Sequence, residues 1–406
     1  MMRKTVKIKD LGTVVTGTTP PTKMQEYYGQ EYNFIKPTYI DLDSRFFEKS
    51  EIKLSQEAYE KYENTFIPPY STSVVTIGSI GEKICMNREL ALTNQQINSV
   101  IPNPDEYDNM FVFYLLKHNL YKVKAANSGS SSGRENVNKS TFSNIEVEVP
   151  DLSTQKKIGK ILSSYDDLIE NNLKRIKLLE ESAELIYKEW FVNLKFPGYE
   201  KYNIVDGTPE GWSKISVKDI AIIQGGYAFK SKEWQENGNP VIKIKNITDN
   251  SIDIVNCECI SDEVADKVKS YKLNKGDLLI AMTGATVGKI GIMPRSNKNY
   301  YLNQRVARIM SNYKYDISSY LFSIFNSDIT KQHILNLAKG SAQPNISAGD
   351  IGSINTLLPS DDIMIQYVNV VDGLLNKRLV LIEHNEKLKE ARDILIPRLI
   401  SGEIEV

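Results

Sequence analysis

The spacing of hydrophobic positions along this chain changes twice, in the same order each time. Residues 1–150 hold short β-branched and aromatic runs, such as SVVTI at 73–77, bounded by Gly, Pro and Asn. That is the pattern of strands closed by turns. From residue 151 the apolar positions step by three and four: Ile158, Ile161, Leu162, Tyr165, Leu168, Ile169, Leu173, Ile176, Leu179, Ala183, Ile186 and Trp190. The stripe predicts a helix, with Ser153 or Thr154 as N-cap and no proline before Pro197. Short runs then return, among them LLIA at 278–281, and the chain closes on a second stripe. Its members are Tyr367, Val370, Val371, Leu374, Leu381, Leu388, Leu395 and Leu399. Stripes sustained over about 40 residues predict helices on the order of 60 Å long, paired as a coiled coil. The alternative is that each helix lies along its own globule. Gly373 and Pro397 predict looser ends for the second helix.

The two halves are copies. KDLGTVVTG (9–17) answers to KDIAIIQGG (218–226), and TNQQINSVI (93–101) to LNQRVARIM (302–310). Asn136 and Pro150 answer to Asn345 and Pro359, and all these pairs stand 209 residues apart. GSIGEKI (78–84) resembles GATVGKI (284–290), FIKPTYID (34–41) resembles VIKIKNIT (241–248), and the helical run at 110–116 parallels that at 320–325. A shared offset at several separate places marks a tandem duplication. Four segments follow: a mixed α/β globule at 1–150, a long helix at 151–195, a second globule at 196–359 and a second long helix at 360–406.

Composition narrows the class. With 41% hydrophobic and 25% charged residues, the 406-residue chain reads as soluble and globular. No apolar run approaches the roughly 18–20 residues of a membrane span, and no apolar segment follows the basic residues of MMRKTVKIKD, so no signal peptide is expected. Only Cys85, Cys257 and Cys259 occur, which excludes a disulfide framework and points to a reducing, cytoplasmic setting. A net charge of −1 neither favours nor excludes nucleic acid. Asp166, Asp167, Glu170, Glu180, Glu181, Glu184 and Glu189 gather in the first long helix, which leaves room for a basic face elsewhere.

No catalytic constellation emerges. His118, His333 and His384 are isolated, and Cys257-Glu258-Cys259 lacks the second pair of a zinc site, so these are read as strand cysteines. Gly225-Gly226 and the Gly284/Gly288 pair open no phosphate loop and mark turns or close backbone approach. FIPPYS at 66–71 resembles the Pro-Pro-Tyr loop with which adenine methyltransferases grip a flipped base. Ile67, however, stands where a donor and acceptor are needed, and no glycine-rich βαβ unit for S-adenosylmethionine precedes it. The motif is read as a loop, and neither catalytic residues nor a cofactor or metal are expected in this chain.

Binding fits better. Asn94, Gln95 and Gln96 face Asn303, Gln304 and Arg305 in the other copy, and Asn, Gln and Arg are the side chains that pair with base edges. Asn94 and Asn303 fit a turn-stabilising role equally well. Loops rich in Gly, Ser and Asn place Arg134 and Lys139, or Lys339 and Gln343, for phosphate contact. Lys36, Lys243 and Lys245 flank expected strand ends, and Thr18, Thr19, Lys23 and Lys230 complete the DNA-binding candidates.

Three stretches carry a family resemblance: TGTTPPTKMQEYYGQEYNFIKPTYID (16–41), TPEGWSKISVKDI (208–220) and ILIPRLISGEI (394–404). They resemble the specificity (S) subunit of type I restriction–modification enzymes, although Gly17-Thr18-Thr19-Pro20-Pro21 replaces the more usual Gly-Gly-Thr-Pro. The resemblance implies an α+β chain of two mixed α/β target recognition domains in pseudo-two-fold tandem repeat, separated by two long antiparallel coiled-coil helices. It implies a non-catalytic reader of double-stranded DNA, each domain binding one half of a bipartite asymmetric site and the helices setting the gap. Two methyltransferase (M) subunits would dock on the helices and flip adenines, and restriction (R) subunits would join for cleavage. S-adenosylmethionine, ATP and Mg would then sit on those partners. The rival readings are a self-contained adenine DNA methyltransferase using FIPPYS and a coiled-coil scaffold that never touches DNA.

Overall fold

The structure, a computed structural model, describes residues 3–127, 136–248, 250–338 and 344–406. It forms two compact units, residues 1–171 with 385–406, and residues 172–384.

In the first unit four strands form an antiparallel sheet in the order Gly12–Thr16, Ile97–Pro102, Thr72–Val75, Ile84–Met86. Every residue of Thr72–Val75 is buried, because one face meets the helix Asn109–His118 and the other a second sheet. That explains the unbroken SVV run, where a half-exposed strand would alternate. The helix is N-capped by Asp108, and Phe111 to Leu116 are at most 1% exposed. The second sheet runs Tyr28–Gly29, Lys53–Leu54, Tyr32–Ile35, Ala91–Thr93, Phe66–Ile67, with Tyr32–Ile35 and Ala91–Thr93 parallel.

The second unit repeats this plan strand for strand. Its larger sheet begins Ala221–Gly225, Val306–Ser311, Leu278–Ala281, Ile290–Ile292, and adds Asn250–Ile252 and Ile247–Thr248 at the far edge. Its other sheet runs Trp234–Gln235, Glu258–Ile260, Asn239–Ile242, Tyr300–Leu302, Lys272–Leu273, again with one parallel pair in the same place. The buried helix Ser318–Asn326 takes the place of Asn109–His118. The duplication expected from the shared offset is therefore a duplication of topology.

The first long helix spans Leu152–Tyr187 and widens into a π-helical turn, Lys188–Val192. Its cap is Asp151, not Ser153 or Thr154: the Asp151 carboxylate accepts the Thr154 N–H at 3.1 Å. The second, Asp361–Ser401, passes through Gly373 and Pro397 without a break. The expected loosening is absent because Ile396, Leu399 and Ile400 are buried in the first unit's core. Arg3 also donates to the carbonyls of Leu399 and Ile400.

Both expectations for these helices hold in part. Within each unit the two helices run antiparallel, as the Asp166–Arg392 and Asn385–Ile169 contacts show in one and the Glu180–Arg378 and Tyr187–Tyr367 contacts in the other. Their ends are also built into the globules. Ile158 and Leu162 join the first core, while Tyr187, Phe191, Met364 and Tyr367 join the second. Leu168, Leu173 and Val370, expected on the inward stripe, turn outward at 51, 47 and 46% exposure. Inward positions go instead to Arg378, Asn385 and Arg392, which are 0, 4 and 1% exposed. These three stand seven residues apart, like Leu374, Leu381, Leu388 and Leu395. The second helix thus carries a leucine position and a polar position of the same heptad, the arrangement that specifies register in coiled coils.

Three acidic residues of the first helix are paired with the globule, while Glu181 and Glu184 stay exposed. Buried Arg45 is held by Asp167 at 2.5 Å and Glu170 at 3.1 Å, and Arg88 pairs with the other oxygen of Glu170. Asp166 receives Arg392 at 2.5 Å and the Tyr114 hydroxyl, and burial with that carboxylate beside it pushes the Tyr114 hydroxyl far up.

Candidate nucleic-acid interface

In each globule a strand of the smaller sheet crosses into the larger one through a three-residue turn, Asn94-Gln95-Gln96 or Asn303-Gln304-Arg305. The asparagines are buried, and their side-chain oxygens accept the N–H two residues on, at 3.1 Å from Gln96 and 3.3 Å from Arg305. They shape the turn, so base reading falls to their neighbours. Gln95, Gln304 and Arg305 are exposed, and Gln96 is half-buried with its side-chain oxygen accepting from Asn94.

What holds the turn is a glycine from another strand. A Cβ on Gly17 would lie 2.2 Å from the Thr93 carbonyl oxygen, and one on Gly226 would lie 2.2 Å from that of Asn303. Only glycine permits this approach. It seats Thr18, whose N–H donates to Thr93, and Tyr227, whose N–H donates to Leu302. Thr19, beside Thr18, donates its hydroxyl to the Gln95 side chain, so Thr18, Thr19, Gln95 and Gln96 form one surface.

Further loops meet at this edge. Ile35 accepts the Asn94 N–H and Ile242 the Asn303 N–H, which brings Lys36 and Lys243 alongside. Thr76 donates to Gln96 and accepts from Val137, while Met282 donates to Arg305 and accepts from Ile346. The bridges Ile77–Asn136 and Thr283–Asn345 bring in the chain just past the small-residue loops. Arg134, Lys339 and Gln343 themselves lie outside the described residues. Lys139 is exposed at the start of the short helix Lys139–Ser143, three residues beyond Asn136. Lys23 and Lys230 are exposed ahead of the outermost strands of the smaller sheets, and no contact joins them to this edge among the described residues.

The lysines of the two copies differ in their company. Lys36 lies 5.3 Å from the centre of the Phe34 ring. Lys243 sits 3.7 Å over the Trp234 ring and pairs with Glu258, whose other oxygen takes Lys245 at 2.8 Å. Hydrogen bonds from Lys243 and then Lys245 hold the Glu258 carboxyl below the usual carboxylate range. The sequence reading named both lysines and missed Glu258, whose neighbours in CEC drew attention to thiol chemistry instead. Burial pushes the Cys257 thiol up to about 12, far from a metal-binding thiolate.

FIPPYS lies at the opposite end of strand Thr72–Val75 from this edge. Phe66 and Ile67 are strand residues, Pro68 accepts from Ser71 and Asn87, and Tyr70 takes a left-handed φ of 65° with its N–H on the Asn87 carbonyl. In the second copy Gly276 fills the same place, with φ of 88° and its N–H on Met293.

Comparison with known proteins agrees with this architecture. The family described as type I restriction modification DNA specificity domain matches residues 3–181 and, separately, 209–388. The specificity subunit of the type I restriction enzyme MjaIX from Methanocaldococcus jannaschii is 25% identical, over 98% of this chain and 93% of its own length. That of MjaVIII from the same organism is also 25% identical, over 99% and 92%. The solved S subunit of a type I restriction–modification system from M. genitalium shares the fold, with a TM-score of 0.58 at 16% identity over 98% of this chain and 96% of that one. Matched twice over and along nearly its whole length, the chain belongs to the type I restriction–modification DNA specificity family.

Proposed function

We propose that this chain is the DNA-reading subunit of a type I restriction–modification complex, and that each globule reads one half of a bipartite, asymmetric site. The observation that carries this is the repeated turn: the same glycine and asparagine hold it twice and Gln95 recurs as Gln304, while the half-buried Gln96 of one copy becomes the exposed Arg305 of the other. A shared mount with different readers is what two different half-sites require. Gln suits adenine and Arg suits guanine through paired hydrogen bonds in the major groove. Thr18, Thr19, Lys36, Lys139 and Lys243 flank the readers, and with Arg134, Lys339 and Gln343 they would contact phosphates.

The long helices set the unspecified gap in this reading, and two M subunits dock on them, with R subunits in the complete assembly. The chain contributes no catalytic group of its own. S-adenosylmethionine, ATP and Mg belong to those partners, and the complex works in the cytoplasm. Among the described residues no helix is long and apolar enough to cross a membrane.

The test is methylation mapping of DNA from cells carrying this chain with its methyltransferase partner. A gapped motif should appear only when both are present. Exchanging residues 1–150 for another such domain should alter one half of that motif, and alteration of both halves would sink the two-module reading. Tight S-adenosylmethionine binding by the chain alone would favour the methyltransferase alternative.

A further inference from the structure

The second globule carries at its reading edge a carboxylate that the first lacks. Glu258 begins the strand Glu258–Ile260, which pairs with both Trp234–Gln235 and Asn239–Ile242. Its two oxygens are taken separately, one by Lys243 and one by Lys245. These lysines bracket Ile244, whose side chain lies 3.6 Å from where a Cβ on Gly284 would stand, and Gly284 donates to Pro344. The cluster is therefore next to the Gln304-Arg305 turn, on the side where Gly284 meets Pro344. In the first globule Lys53–Leu54 occupies the place of Glu258–Ile260, and Ile52 precedes it where the second has Glu258. Lys36 meets no acid there among the described residues.

We propose that Glu258 is an internal stand-in for a DNA phosphate, which occupies Lys243 and Lys245 until a backbone in register with the turn displaces it. The idea rests on the reading edge assigned above. The geometry suits the exchange. Both lysine heads converge on a single anion, Trp234 holds Lys243 from its other side, and Glu258 is 44% exposed on its side chain, so a phosphate can approach it. An exposed carboxylate holds lysines weakly, whereas a phosphate also releases condensed counterions. Non-cognate DNA, held loosely and out of register, gains little from lysines already occupied. Cognate DNA, drawn in by the base contacts of Gln304 and Arg305, displaces the acid. Glu258 thereby lowers non-specific affinity more than specific affinity, which makes it a specificity-determining residue that touches no base.

The experiment uses the full chain assembled with its M subunits and two duplexes of equal length, one carrying the mapped site and one lacking it. Glu258→Gln should raise affinity for the non-cognate duplex about three- to tenfold and steepen the slope of log K against log salt by about 1 to 2. It should raise cognate affinity less, so the ratio of the two falls. In a Lys243→Ala, Lys245→Ala background the gain should vanish, and a gain that persists there overturns the proposal. A selective loss of cognate binding also overturns it, because Glu258 would then be reading a base. Gln304→Ala with Arg305→Ala separates the two levels of argument. If that pair leaves cognate binding intact, the reading edge itself is wrong and the stand-in falls with it. If that pair weakens cognate binding while Glu258→Gln changes nothing, the stand-in alone is wrong. The thermal midpoint of each variant complex shows that a lost effect is not lost folding.

Discussion

The two globules have the same strand order and the same glycine-held turn, and Gln95 recurs as Gln304 and Lys36 as Lys243, yet the chemistry around these shared residues differs. Gln95-Gln96 becomes Gln304-Arg305, and the lone Lys36 becomes Lys243 and Lys245 clasped by Glu258. At the opposite end the left-handed position is Tyr70 in one and Gly276 in the other. Positions where backbone meets backbone were held through divergence, because no other residue fits. Positions facing solvent were free to change, and there the two modules acquired different chemistry.

The comparison breaks most severely in the helices. Arg392→Ala strands Asp166, whose side chain is 4% exposed, and is expected to cost about 4 kcal/mol. Arg378→Ala should cost less, about 3 kcal/mol, because Glu180 keeps 23% exposure and can be hydrated. Denaturant unfolding of both variants checks the order, and equal losses would mean that burial of the acid does not decide it. Next come the mounts of the reading turns. Gly17→Ala and Gly226→Ala each drive a methyl against a backbone carbonyl oxygen at 2.2 Å and should cost about 3 kcal/mol apiece. If only one does, the turns are not equivalent supports.

The reading itself should respond more gently and on one side only. Gln304→Ala with Arg305→Ala should lose roughly 1–3 kcal/mol of discrimination for each paired contact removed. Methylation mapping should show one half of the motif relaxed and the other intact. Smallest is the left-handed turn. A Cβ on Gly276 meets nothing within 4 Å, so Gly276→Ala should cost only the φ penalty, about 1 kcal/mol, read as a small fall in the thermal midpoint.

Much of this molecule was legible in advance, for identifiable reasons. Leu374, Leu381, Leu388 and Leu395 declared a helix seam because apolar spacing is a local property of the chain. The common offset declared the duplication, and Asn94 and Asn303 were open to a turn role that their hydrogen bonds confirm. The polar half of the seam was not legible. Arg378, Asn385 and Arg392 look like surface residues in any window, and only partners far along the chain make their burial tolerable. Glu258 was missed for the same reason, since its lysines stand thirteen and fifteen residues away in sequence.

By itself, then, the sequence determined the repeat, the two long helices, the glycines and turn residues, and the family. These depend on period, on backbone geometry and on local pattern, all of which act within a few residues. The tertiary structure decided which charges are buried, which leucines face outward and which loops share an edge. Those outcomes depend on what stands opposite each side chain, and a carboxylate that is solvated in one fold is the buried partner of an arginine in another.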